Sequence, residues 1–473
     1  MKEKPTTFFE AGMYHNQMEH APVQLSVTGR IPDWLSGNFV RNGPGMMVLP
    51  EQPLKHWFDG MAALHGFSIR QGKVEYSCRF LECASYATAR ADGKLTYSEF
   101  ATDPCKSIFK KVQSYVIPSP PNMTDNAKVN VAKIGERYMA LGETPMMIEF
   151  DPKTLETYGM QELIPDGFAY KTTAHPHFEG DTAFNLVVKF GMFSFYRIHD
   201  VLQPKKAISS VFVKNPAYLH GFGMSKKYFI IAAGPLTAVP LELLFWKRPF
   251  IENHTWNPRE GAKIYVIEKS TGKLKAKFET EAFFSFHHVN AWEEGEELVM
   301  DINAYDDANI IQKYYLKELE RPDVELPFGT IRRYRMNLRT RKVNAEIRSS
   351  ACIELPRIDY ERYNTDAAYR HVYGVSLHPD HRQGFYNSLV RINPETGENL
   401  YWYENGCHPG EPYFIPSPDS KNDKDGIVLS IVLDTIRNCS FLLVLDAQNF
   451  QELARAEAPE PIIYGFHSGF FSA

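Results

Sequence analysis

The chain has 473 residues, a net charge of −5 with both signs interspersed, and hydrophobic and aromatic contents of 44% and 13%. Its length suits one large fold or several domains, and the lack of a basic face excludes a nucleic-acid binder of the usual kind. Phe (32) and Tyr (25) are abundant, which favours strands, while Pro (31) and Gly (30) are spread evenly, as many turns require.

The N-terminus, Met1-Lys-Glu-Lys-Pro5, lacks the apolar stretch of a signal peptide. Six cysteines, Cys78, Cys83, Cys105, Cys352, Cys407 and Cys439, show no paired spacing. Reduced thiols in a cytoplasmic protein are therefore expected. Without secretion, the acceptor patterns at Asn122 and Asn438 are chance matches. No run approaches the ~18 apolar residues of a spanning helix.

In chain order, one pattern recurs: an apolar strand, a turn built on Asp, Asn, Thr or Gly, then an alternating strand. It begins at Phe67, Ile148, Val266, Tyr334, Ile392 and Leu445, and each copy reads as a hairpin. The later copies lie roughly 50–70 residues apart, against ~40–50 for one four-stranded propeller blade. The expected fold is an all-β, seven-bladed β-propeller over residues 1–473, without a second domain; a large sandwich or barrel array is the alternative. Insertions should cap one face. Residues 306–327 carry helix-forming side chains, and 235–250 are too apolar for an ordinary loop.

Four histidines sit far apart in small apolar contexts: His175 in Thr-Thr-Ala-His-Pro-His, His220 in Tyr-Leu-His-Gly-Phe-Gly, His287 in Phe-Ser-Phe-His-His-Val, and His467 in Tyr-Gly-Phe-His-Ser-Gly. A single histidine on an apolar strand is usually a core residue. Four of them, on the inner strands of four blades, would converge on the propeller axis, and neutral imidazole is the commonest protein metal ligand.

These contexts resemble the carotenoid cleavage oxygenase family. Residues Gly29 to Pro44, with Arg41-Asn-Gly-Pro44, resemble its opening motif, and His56-Trp-Phe-Asp59-Gly60 through His65 resemble its next one. Within the family, Thr102 to Lys106, Glu354 to Tyr360 and the run from Asp425 are similar to the animal branch of β-carotene oxygenases and retinoid isomerohydrolase. The resemblance implies one Fe(2+) held by His175, His220, His287 and His467. His177 and His288 are neighbours rather than ligands, the first by the Ala-His-Pro motif and the second by spacing to Asn290. Glu143, Glu354 and Glu411 stand in matching motifs, and metal-bound imidazoles commonly give their other N–H to a carboxylate. Phe100, Val129, Tyr218, Tyr305 and Phe466 are the expected tunnel lining.

The implied reaction adds both atoms of molecular oxygen to an alkene of a carotenoid or apocarotenoid and cleaves it to aldehydes, centrally at 15,15′ to give retinal. Eccentric cleavage and a retinyl ester isomerohydrolase are the alternatives within the family, the latter suggested by Val129 where many of the oxygenases carry Thr; Gly142, where the animal proteins often have Thr, widens the cavity. A propeller that binds apolar ligands without catalysis is a third reading. A substrate of this kind lives in membranes, so docking through apolar loops is expected. The candidates are Leu241, Leu243, Leu244, Phe245 and Trp246, flanked by Lys247 and Arg248, and the stretch from Cys105 to Pro121.

Overall fold

The computed structural model describes residues 7–105, 123–163, 171–189, 191–203, 205–239 and 248–472. Among them the strands form seven sheets of four to six strands and one two-stranded ribbon. The sheets are the blades of a β-propeller. In blade two, for example, Asn130–Ile134, Arg137–Leu141, Met146–Phe150 and Thr157–Glu162 run antiparallel from the axis outward.

The chain closes the ring from both ends. Ser468–Ser472 pairs with Gly37–Met46 as the innermost strand of the first blade. Ser26–Gly29 pairs with Glu452–Glu457 as the outermost strand of the seventh. Two antiparallel pairings between the ends of the chain therefore close the ring.

The six sequence hairpins are the third-to-fourth strand turns of six blades. In four of them the turn opens on Asp or Asn, whose side chain folds back onto backbone N–H groups two and three residues on. Asp151 accepts from Lys153 and Thr154, both at 2.8 Å. Asn337 accepts from Arg339 and Thr340 at 3.1 and 2.7 Å, and Asp446 from Gln448 and Asn449 at 2.7 and 3.1 Å. In the third blade, strands Met192–Ile198 and Lys206–Phe212 are joined through His199-Asp-Val-Leu-Gln-Pro-Lys205. Asp200 accepts from Leu202 N–H at 2.9 Å, but no Thr or Gly follows it, which is why the repeat shows six copies for seven blades.

The insertion at 306–327 packs against the His56 motif. Asn309–Lys313 and Leu316–Leu319 are helical. They are tied to the His56 motif by the His56 Nε2–H bond to the Ile311 carbonyl at 3.0 Å and by Leu316 N–H to Lys55 O at 2.8 Å. Asp59, from the same motif, accepts from Ala101 N–H at 2.8 Å and the Thr102 hydroxyl at 2.7 Å. Asn42, from the opening motif, donates to Ala127 and Asn130 carbonyls at 2.7 and 3.0 Å. Both motifs thus tie this insertion and the first two blades together. The apolar segments at 241–247 and 106–121 lie outside the described residues. No described helix is long and apolar enough to cross a membrane.

Candidate metal centre

The four histidines meet on the axis. Their ligand-capable nitrogens all lie within 4.8 Å of one another. They sit just ahead of inner-strand segments rather than within them, which corrects the expectation from sequence. His220 precedes Gly223–Met224, His287 precedes His288–Glu294, His467 precedes Ser468–Ser472, and His175 lies between Lys171–Thr172 and His177–Glu179. The physical reason is spacing. A paired inner strand aims alternate side chains into neighbouring blades, whereas the loop that enters the axis is free to aim an imidazole inward. The rings cross steeply: His175 with His467 at 89° and 4.4 Å, and His220 with His287 at 90° and 4.9 Å.

Three carboxylates orient three of the rings. Nδ1 of His220 meets Glu143 at 2.7 Å, that of His287 meets Glu354 at 2.7 Å, and that of His467 meets Glu411 at 2.7 Å. Among the described residues His175 has no carboxylate partner. Each glutamate is itself fixed. Glu143 accepts from Lys171 Nζ at 2.5 Å and the Tyr218 hydroxyl at 3.1 Å. Glu354 accepts from Asn303 at 2.7 Å, Tyr305 at 3.0 Å and Leu355 N–H at 2.6 Å. Glu411 accepts from Arg357 Nε at 2.8 Å and Ser468 N–H at 2.7 Å.

The electrostatics agree with this geometry. Burial on its own would raise the carboxyl of Glu143, but Lys171 and His220 bring it down to about 2. Glu354 and Glu411 are lowered for the same kind of reason, against burial, by His287 and by Arg357 with His467. Burial holds His467 down at about 4 and lowers His175 and His220. Carboxylates stay charged and these imidazoles neutral.

This donor set fits a metal ion. A neutral imidazole that gives its Nδ1–H to a carboxylate carries its lone pair on Nε2. Nε2 of His287 and His467 face each other at 3.1 Å, and those of His175 and His220 at 3.0 Å. With His287 and His467 both donating through Nδ1, no proton lies between their Nε2 atoms, and facing lone pairs need a cation. His177 and His288 stand outside the group. His177 bonds the Tyr360 hydroxyl and the Phe222 carbonyl, each at 2.8 Å. His288 is half-buried, with both ring nitrogens buried and unpaired among the described residues.

A cavity opens beside the histidines. Phe100, Val129 and Phe466 line it together with His220, His287 and His467. Tyr218 and Tyr305 do not line it, contrary to the sequence expectation. They stand behind Glu143 and Glu354, because a buried phenol needs a partner and these carboxylates supply one. Sequence reasoning missed Trp57, Phe58, Phe286 and Tyr314, which make half of the aromatic wall. It also missed Lys171 and Arg357. Phe58 and Trp57 belong to the His56 motif and were within reach of a sequence reading; the two cations carry no local signal.

Four imidazoles on a propeller axis, three of them backed by carboxylates, form a group that could hold a metal ion beside an aromatic cavity suited to an apolar molecule. The chain belongs to the retinal pigment epithelial membrane protein (RPE65) family, whose model matches residues 14–472. It is 31% identical to the β,β-carotene 15,15′-dioxygenase of Homo sapiens over 95% of this chain and 92% of that one. It is 30% identical to the carotenoid isomerooxygenase of Galleria mellonella over 95% and 93%. A solved Synechocystis apocarotenoid oxygenase variant shares the fold, with a TM-score of 0.85 at 23% identity, covering 97% of this chain and 98% of that one.

Proposed function

We propose that this protein is an Fe(II) dioxygenase that cleaves an alkene of a carotenoid or apocarotenoid into two aldehydes, centrally at the 15,15′ bond. The observation that carries the reading is the opposed Nε2 pair of His287 and His467 at 3.1 Å, each ring fixed from behind by a glutamate. Iron, held by His175, His220, His287 and His467, would supply the activation of dioxygen. Everything else falls to the chain. Glu143, Glu354 and Glu411 hold protons on Nδ1 and place negative charge behind neutral ligands. Phe58, Phe100, Phe286 and Phe466 hold a flat polyene and exclude water. One carbon–carbon double bond breaks, two carbonyls form, and each takes one atom of the same oxygen molecule.

The test uses labelled dioxygen with anaerobic controls. Retinal should form from carotenoid only in oxygen, with label in both aldehydes. Oxygen-independent release of retinol from a retinyl ester, with no carotenoid cleavage, would support the isomerohydrolase reading instead. Val129 on the cavity wall is the observation that favours that second reading.

We infer also that substrate is drawn from a membrane surface. The support is in the sequence: Leu241, Leu243, Leu244, Phe245 and Trp246 are followed by Lys247 and Arg248. Changing Leu244, Phe245 and Trp246 to Ser should weaken liposome binding at full iron content. Unchanged binding would move the anchor to the segment after Cys105.

A further inference from the structure

One pair on the cavity wall is out of keeping with its surroundings. Lys128 and Glu99 form an ion pair with side chains only 8% and 1% exposed, and both line the cavity. Taking two charges out of water is expensive, and apolar residues of similar volume would hold a wall at least as well. The pair therefore contributes something other than stability.

Its hydrogen bonding shows what is left over. Glu99 is nearly saturated: Oε1 accepts from the Thr124 hydroxyl at 2.6 Å and the Asn126 amide at 3.3 Å, and Oε2 accepts from the Lys128 ammonium. An ammonium carries three donors. Among the described residues, Lys128 Nζ uses one, on Glu99. The backbone holds the pair in place, with Lys128 N–H on Asn126 O at 3.0 Å and Glu99 N–H on Thr102 O at 2.9 Å. Ser98, Thr124 and Asn126 also line the cavity here, so one part of an otherwise aromatic wall is polar.

We propose that Lys128, held by Glu99, is a specificity-determining residue that donates a hydrogen bond to a hydroxyl or carbonyl oxygen at one end of the polyene substrate. This rests on the carotenoid or apocarotenoid reading above. A hydrocarbon end leaves the spare donors desolvated without a partner, and a site built around such donors discriminates against the analogue that lacks the oxygen. A carboxylate end meets the ammonium but also the Glu99 charge.

The experiment reads binding apart from turnover. Quenching of tryptophan fluorescence in the anaerobic, iron-loaded full chain gives the affinities of a β-apocarotenal, its alcohol, and a polyene hydrocarbon of the same length. The oxygenated probes should bind about 10- to 100-fold tighter than the hydrocarbon, as one hydrogen bond to a charged donor implies. The neutral double variant Glu99→Gln/Lys128→Met should bring that ratio near one, while Lys128→Arg should keep it. If the double variant does not fold, Lys128→Met alone is read for the same loss. Equal affinity for all probes in the wild type, or a ratio unchanged in the apolar variant at wild-type iron content, would overturn the role of Lys128. Selective binding without cleavage in oxygen would uphold that role and defeat the dioxygenase reading. Cleavage without selectivity would do the reverse.

Discussion

A neutral imidazole has one lone pair, and the partner of Nδ1 decides that Nε2 carries it. On the proposed reading, that rule separates ligands from bystanders in this chain. His220, His287 and His467 give Nδ1 to carboxylates and turn Nε2 to the axis, whereas both nitrogens of His177 are spent on Tyr360 and Phe222. Single replacement of His175, His220, His287 or His467 by Ala should therefore remove most iron, measured by metal analysis of the purified protein. His177→Ala and His288→Ala should retain it. Iron kept by His287→Ala and lost by His288→Ala would reverse the assignment. Glu354→Ala should weaken iron binding by about 10- to 100-fold, the usual effect of losing an orienting partner. It leaves the His287 ring unanchored and strips the acceptor from Asn303 and Tyr305. Competition with a chelator of known affinity measures it.

At the scale of elements, the blades are held by ladders and hairpin turns, and a few buried charges fix how neighbouring segments meet. Arg333 and Asp301 face each other across two strands of the fifth blade, Thr330–Asn337 and Glu297–Ala304. They form a two-pronged bond, 2.8 Å in each arm, with side chains 2% and 0% exposed. Arg333→Met should cost about 3–5 kcal/mol by leaving a carboxylate buried without its cation. Asp301→Leu/Arg333→Met should recover part of that, though not all, since the Tyr369 hydroxyl also donates to Asp301; denaturant titration of both variants tests the pair. Asp423 sets an acid limit. Its carboxylate accepts from Arg370 and His371 backbone N–H groups at 2.5 and 2.8 Å and from His371 Nδ1 at 2.7 Å. Burial opposes ionisation, but these donors win and lower its pKa from the ordinary 3.8. A group lowered on folding stabilises fully above its unfolded value and loses that contribution as pH falls through the folded one. Asp423→Asn should thus be less stable than wild type above about pH 4, with the gap closing in more acid solution. A gap that stays constant across that range would show that Asp423 acts without its charge.

For the whole molecule, the axis is where the energetic ties converge. The four histidines enter from different blades, and the ring is closed by Ser26–Gly29 and Ser468–Ser472 from the two ends of the chain. We propose that the chain unfolds as one unit and that iron acts as a clamp across it. A ligand that binds only the folded state at a thousandfold above its Kd adds about 4 kcal/mol. Removing iron with a chelator should lower the single calorimetric transition, and returning Fe(II) should restore it. Separate transitions for parts of the chain, or a Tm indifferent to iron, would show that the axis is not shared.

The sequence by itself determined the elements and the chemistry. Hairpin turns are local, so six hairpins were legible from Asp151, Asn337, Asp446 and their counterparts, whereas the third blade, where Asp200 is followed by Val-Leu-Gln-Pro rather than Thr or Gly, was not. The aromatic and glycine settings of the four histidines carried the metal reading, because residue types at a ligand position are restricted by what coordinates. The tertiary structure alone decided which groups meet. Lys171 reaches Glu143, Arg357 reaches Glu411, and Lys128 reaches Glu99 across separate segments, and no local pattern encodes a contact between residues far apart in the chain. It decided also that Tyr218 and Tyr305 turn from the cavity to the glutamates. An aromatic ring in an apolar run looks the same in sequence whether it packs against a ligand or lends its hydroxyl to a buried carboxylate, and only the position of that carboxylate in space distinguishes the two.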